Sequence, residues 1–140
     1  LLLCCDMVVE VTCAIIEKEG KVLAVQRGEH KSLAYKWEFP GGKVEEDETH
    51  WQCLLREIKE ELNVAINIWE KLPFSDQEHE ELTIRLIPFI CSLCKGEEIE
   101  LLEHNALKWI EPQQLNTLDW SPADIKVIEN YLKHTAIKAK

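Results

Sequence analysis

Basic residues are scarce in this 140-residue chain: 16 Lys and Arg stand against 26 Asp and Glu, a formal net charge of −10. Binding to polymeric DNA or RNA depends on clustered Lys and Arg that neutralise backbone phosphates, so the deficit excludes that class of partner. A small anionic ligand stays open if a cation comes with it. Long apolar runs are also missing, and no segment approaches the roughly 20 residues that a bilayer-spanning helix needs, which excludes a membrane-embedded protein. The opening Leu1-Leu2-Leu3-Cys4-Cys5-Asp6 is apolar, but it has neither the basic flank nor the length of a signal peptide. No linker, internal repeat or low-complexity tract interrupts the chain. The six cysteines (Cys4, Cys5, Cys13, Cys53, Cys91, Cys94) follow no regular framework, and four lie in strand-like or helix-like apolar surroundings, as expected of a reduced, cytoplasmic protein.

What is present, 46% hydrophobic and 30% charged residues over 140 positions, suits one globular domain over residues 1–140 that buries a core without disulfide or metal staples. Met7 is a candidate initiator, which would make residues 1–6 a dispensable extension. Cys91-Ser-Leu-Cys94 has the spacing of a metal or redox pair. A zinc site needs further ligands, no second pair has suitable spacing, and buried strand cysteines are the better reading. The oligomeric state stays open, a homodimer included.

Two β-branched apolar runs, Val8 to Ile16 and Lys21 to Gln26, flank Glu17-Lys18-Glu19-Gly20 and predict a hairpin. Trp37-Glu38-Phe39 leads into Pro40-Gly41-Gly42, whose proline and glycines impose an irregular, tight backbone. Thr49 with Gln52 makes a capping box, and Trp51, Leu54, Leu55, Ile58 and Leu62 follow in one helical stripe, predicting a helix from Thr49 to Leu62. Val64 to Leu72 and Leu82 to Cys94 read as strands around an acidic loop at Ser75 to Glu81, with a further strand at Ala106 to Ile110. Ser121-Pro122 begins a last helix that should end near His134. Strands outnumber helices without strict alternation, so the fold class is α/β with a mixed sheet and helices on its faces.

The helix raises a chemical question. Glu57, Glu60 and Glu61 share a sector of about 100° beside the apolar stripe, at a spacing where like charges repel. A solvated acidic face is the bland account, and Lys59 fits it. The preceding Gly-Gly loop favours another: backbone carbonyls and carboxylates brought together make an oxygen-rich site suited to Mg²⁺ or Mn²⁺.

The stretch from Gly41 to Val64 resembles the Nudix box, G-x5-E-x7-R-E-U-x-E-E-x-G-U with U a bulky apolar residue. Gly42, Glu48, Arg56, Glu57, Ile58, Glu60, Glu61 and Val64 match it in order. Asn63 stands where the family usually has Gly, and Asn is the non-glycine residue best able to take the left-handed helix C-cap. The segments VVEVTCAIIEKEGKVLAVQR, KWEFPGGK and WSPADIKVI extend the resemblance to the MutT-like branch from Met7 to about Leu132.

The resemblance implies a Nudix fold, an α/β/α sandwich around a central mixed sheet, and a Mg²⁺-dependent hydrolase, with Mn²⁺ able to substitute. Its metal ligands would be Glu57, Glu60 and Glu61 with the Gly41 carbonyl, while Arg56 would pair with Glu48 and orient the helix. A later glutamate, Glu103, would ligate metal and help to activate water, with Glu98, Glu100 and Glu57 competing for the role of base. Arg27 would reach the substrate phosphates, with an exposed strand-end arginine as the bland alternative. Asp124 would face the base edge or else belong to the first turn of its helix. The implied reaction is hydrolysis of a nucleoside triphosphate, CTP-like or an oxidised purine, to monophosphate and pyrophosphate. Hydrolysis of another nucleoside diphosphate derivative such as ADP-ribose, or a non-catalytic ligand-binding module, are the other readings.

Overall fold

The computed structural model describes residues 7–138, and the expectation for residues 1–6 lies outside them. In chain order the elements are β1 (Met7–Lys18), β2 (Lys21–Gln26), β3 (Trp37–Glu38), β4 (Gly41–Lys43), α1 (His50–Leu62), β5 (Ile66–Lys71), β6 (Ser75–His79), β7 (Leu82–Leu93), β8 (Ala106–Ile110), a 3-10 helix (Pro112–Thr117) and α2 (Pro122–Lys138).

The eight strands form one mixed sheet whose spine runs β3-β2-β1-β7-β5. β1 and β7 pair in parallel from Met7↔Leu82 to Ile16↔Cys91, while the other pairings are antiparallel. Side chains alternate across the central strands because a strand has a period of two. Cys13, Ile15, Val22, Ala24, Leu86 and Ile90 pack with Val127, Ile128 and Tyr131 of α2. Their neighbours Ala14, Ile16, Leu23, Val25, Ile87 and Phe89 pack with Leu54, Ile58 and Leu62 of α1. Both faces of the sheet are therefore covered, and the near-continuous apolar runs of β1 and β2 follow from that. The α/β/α sandwich expected from the sequence is the observed architecture.

Helix α1 begins as its cap dictates. Thr49 accepts from the Gln52 amide and Gln52 from the Thr49 amide, completing the capping box. Asn63 ends the helix in the left-handed conformation (φ 55°, ψ 39°), which Asn adopts more readily than other non-glycine residues.

Some elements differ from the sequence expectation. Trp51 has the right helical angle for the core stripe but is 51% exposed. In that turn Cys53 points inward instead, its thiol against the Gly42 and Lys43 carbonyls, and the indole is left uncovered. The acidic loop expected at Ser75 to Glu81 is mostly strand: β6 pairs with β7 from Ser75↔Leu86 to His79↔Leu82. It lacks apolar alternation, and a cross-strand pair supports it: Arg85 donates to both Asp76 oxygens at 2.9 and 3.2 Å and lies over the Phe74 ring. β5 starts at Ile66, where pairing with Leu93 of β7 begins, and Val64 lies buried in the connection from α1. α2 continues to Lys138, past His134.

Candidate active site

The loop between β3 and α1 carries the closest backbone approaches. Gly41 has φ 155°, and a Cβ there would overlap the Thr12 carbonyl oxygen on the paired strand β1. A Cβ on Gly42 would overlap the Glu57 carboxylate. Both positions thus require glycine for different reasons, Gly41 for backbone against backbone and Gly42 to leave room for a glutamate of α1.

Arg56 braces this loop against the helix. It binds Glu48 in a fork, Nε to Oε2 at 2.7 Å and a terminal nitrogen to Oε1 at 3.0 Å, and donates to the Lys43 carbonyl at 3.1 Å. Bidentate charged pairs of this kind combine strength with orientation. Hydrogen bonding from Arg56 holds the Glu48 carboxyl down to about 2. The remaining Arg56 nitrogen lies 2.9 Å from Glu57 and 3.3 Å from Glu60, so the guanidinium also offsets repulsion between those carboxylates.

Four of the expected ligands, Gly41, Glu57, Glu61 and Glu103, line one cavity of about 160 Å³ together with Arg27. Glu61 is 4% exposed. Burial, followed by the charges of Glu57, Glu103 and Glu38, pushes its carboxyl well above the ordinary range against a hydrogen bond from the Gly41 backbone. Glu57 is also raised, first by burial, with Arg56 opposing. Glu60 is not part of this lining; it is half exposed and shares Arg56 with Glu57. Of the competing glutamates, Glu98 lines a separate cavity with Trp109, and Glu100 accepts from Asn63 at 3.1 Å.

Four further residues line the carboxylate cavity without having been given a role from the sequence: Gly28, Lys31, Glu38 and His104. Glu38 accepts from Arg27 at 2.8 Å and from His104 at 2.9 Å. Burial raises its carboxyl, and these two hydrogen bonds outweigh the burial and leave it below its usual value. Glu38 sits beside the glycine loop within KWEFPGGK, which was a usable signal, whereas nothing local marks Lys31.

A second cavity, about 390 Å³, adjoins the first, with Arg27, Glu38 and Gly41 in the walls of both. Its lining is largely apolar, including Cys13, Phe39, Ile84 and Leu86, with Asp124 from the start of α2. Asp124 is 5% exposed and accepts from the Phe39 amide at 2.8 Å. Burial pushes its carboxyl up to about 8 despite that bond. A carboxyl with this proton affinity donates as well as accepts at neutral pH.

The donor set around Glu61 fits a hard divalent cation: every side-chain donor is a carboxylate, two are raised by burial and crowding, and a positive ion is what relieves them. Among the described residues no three His, Cys, Asp or Glu side chains already converge closely enough to hold a metal ion. The Cys91-x-x-Cys94 pair adds no such site: Cys91 is buried in β7, and the Cys94 thiol lies against the Asn67 side chain. No helix among the described residues is long and apolar enough to cross a membrane.

Comparison with known proteins bears on the family and the fold. The chain is 36% identical over 124 residues to a CTP pyrophosphohydrolase of Escherichia coli strain K12, covering 89% of this chain and 91% of the relative. It is 33% identical over 135 residues to an 8-oxo-dGTP diphosphatase of Haemophilus influenzae, covering 91% and 94%. Among solved structures, the Escherichia coli ORF135 protein superimposes with a TM-score of 0.83 at 34% identity, covering 94% of this chain and 93% of the other. A MutT protein from Methanosarcina mazei Go1 shares the fold with a TM-score of 0.81 at 23% identity, covering 93% and 96%. The Nudix domain model matches residues 7–131, nearly all of the described chain, and the protein therefore belongs to the Nudix family of hydrolases acting on phosphorus anhydrides.

Proposed function

We propose that this protein is a Mg²⁺-dependent nucleoside triphosphate pyrophosphohydrolase that converts an NTP or dNTP, CTP-like or an oxidised purine, to the monophosphate and pyrophosphate. The observation that carries this reading is the shared wall of the two cavities: a carboxylate-lined cleft opens beside an apolar pocket, with Arg27, Glu38 and Gly41 common to both. A polyphosphate fits the chemistry of the first, and a nucleobase that of the second.

Glu57, Glu60, Glu61 and Glu103 with the Gly41 carbonyl would hold Mg²⁺, or Mn²⁺ in its place, which would neutralise phosphate oxygens and act as a Lewis acid toward the attacking water. Arg27 borders the cleft and meets the phosphate chain as a second source of positive charge, with Lys31 close by. Glu103 is the residue best disposed to take the water's proton, because among the described residues no hydrogen bond or ion pair engages its carboxylate and it lines the cleft. Glu57, by contrast, is engaged by Arg56. Asp124 lies at the apolar end and, able to donate and accept, suits a cytosine edge or an oxidised purine. The names of the two relatives above, CTP pyrophosphohydrolase and 8-oxo-dGTP diphosphatase, support the same pair of substrate classes.

A substrate panel with Mg²⁺ tests the reading: CTP, dCTP, 8-oxo-dGTP, the other common triphosphates and ADP-ribose, with products separated by chromatography. Monophosphate and pyrophosphate from at least one triphosphate is the expected result. Turnover of ADP-ribose alone, or of nothing, overturns it.

A further inference from the structure

His104 lies at the start of the segment leading into β8, with its ring only 7% exposed. Its Nε2 is 2.9 Å from Glu38 Oε2 and 3.8 Å from Glu61 Oε1. Its Nδ1 is buried with no hydrogen-bond partner among the described residues. A neutral imidazole has one donor and one acceptor nitrogen, and the arrangement places the hydrogen on Nε2, where a carboxylate can receive it. An apolar side chain would fill this space without stranding Nδ1, so the Nε2 hydrogen bond is the feature that sets this residue apart from plain packing.

The bond is the first in a chain. Glu38 spends one oxygen on His104 and the other on Arg27, at 2.8 Å. Arg27 in turn donates from Nε to the Ser32 carbonyl at 2.7 Å and from a terminal nitrogen to the Ser32 hydroxyl at 3.2 Å. The backbone supports this order, since β2 pairs with β3 on one side, Val25↔Glu38, and with β8 on the other, Gln26↔Ala106. Asn105, next to His104, is tied to Gln26, next to Arg27, through its backbone amide at 2.9 Å and its side chain at 2.7 Å.

We propose that His104 is a positioning residue for Arg27: by holding one oxygen of Glu38, it fixes the carboxylate whose other oxygen aims the guanidinium along the cleft toward the substrate phosphates. The inference rests on the nucleotide reading above. It assigns His104 no proton transfer and no contact with substrate. Because the guanidinium binds phosphate in ground state and transition state alike, loss of its alignment should appear in KM and not in kcat.

Steady-state kinetics with CTP and Mg²⁺ on His104→Leu, His104→Gln and Glu38→Gln, alone and combined with Arg27→Gln, tests this. His104→Leu should raise KM about tenfold with kcat within about threefold of wild type. His104→Gln, which keeps a side-chain N–H donor, should return KM to within about threefold of wild type. In the Arg27→Gln background His104→Leu should add nothing, as expected for residues acting through one another. Unchanged KM in a folded His104→Leu protein, failure of the Gln variant to rescue, or fully additive effects with Arg27→Gln each overturn the proposal. If His104→Leu does not fold, Glu38→Gln must show the same KM rise, and its absence is equally decisive. Absence of CTP turnover by wild type would overturn its use as substrate and leave His104 to be judged by the same ratios in CTP binding measured by calorimetry.

Discussion

The cleft beside α1 and the pocket at the start of α2 each contain one buried carboxyl, Glu61 and Asp124, and in both burial is the main cause of a raised proton affinity. Their surroundings differ in kind. Glu61 sits among Glu57, Glu103 and Glu38, so like charge adds to burial. Asp124 sits in a largely apolar pocket with a backbone amide on one oxygen, and the like charge of Glu38 there is opposed by Arg27. The first is relieved by a cation, the second by keeping its proton. On the proposed function, two carboxyls with the same direction of shift would serve different partners, metal and phosphate in one cavity and a neutral, hydrogen-bonding base in the next.

The largest expected break in that contrast is Glu57→Gln. Removing one charge from the cleft should lower kcat on the order of 100- to 1000-fold, while thermal melting in the absence of metal stays near wild type. Mg²⁺ should raise the melting temperature of wild type and of Asp124→Asn, since a ligand that binds only the folded state stabilises it, and should do so far less in Glu57→Gln. Near-wild-type turnover by Glu57→Gln at saturating Mg²⁺ would reduce the helix face to a solvated surface.

The two glycines give the next contrast. Gly41→Ala meets backbone at an unfavourable φ, so denaturant unfolding should show a loss of about 3 kcal/mol. Gly42→Ala meets the far end of a flexible side chain; it should change stability little but displace Glu57 and lower kcat about tenfold. Equal effects of the two substitutions would contradict their separate roles.

Asp124→Asn sharpens the comparison through pH. Burial pushes the Asp124 carboxyl from its ordinary 3.8 up to about 8. The folded state therefore holds a proton that the unfolded chain has released, and the contribution, complete below about 4, is lost as pH rises toward 8. Asn carries no such titration. The melting temperature of Asp124→Asn relative to wild type should rise between pH 5 and pH 8 by about 5 °C. A constant difference across that range would mean that Asp124 is ionised throughout.

The smallest effect belongs to Trp51. Half exposed, it should tolerate Trp51→Ser within about 0.5 kcal/mol, in contrast to the fully buried Leu54 one turn away, where Leu54→Ala should cost about 2–5 kcal/mol.

Much of this was legible in the chain. The capping box at Thr49 and Gln52 and the left-handed stop at Asn63 are local rules, because each is decided by hydrogen bonds within a few residues. The Glu48–Arg56 brace was implied by the resemblance to the Nudix box, and the β1–β2 hairpin was readable from two apolar runs around a turn. β6 was not, because an edge strand needs only cross-strand partners, and Asp76 identifies Arg85 only once the hairpin is folded. Trp51 misled for the opposite reason: helical angle says which way a side chain points but not whether the sheet extends beneath it.

By itself the sequence determined the helix that gathers the carboxylates and the glycines that admit them, since these follow from spacing along one continuous stretch, and it implied the reaction class through its resemblance to the Nudix box. Only the tertiary structure decided that Glu61 and not Glu60 is buried in the cleft, that Glu103 rather than Glu98 or Glu100 lines it, and that Glu38 and His104 belong to the same network. Those placements depend on residues 38, 61 and 103–104 meeting where β3, α1 and the approach to β8 converge, and burial and like charge act only after that meeting has occurred.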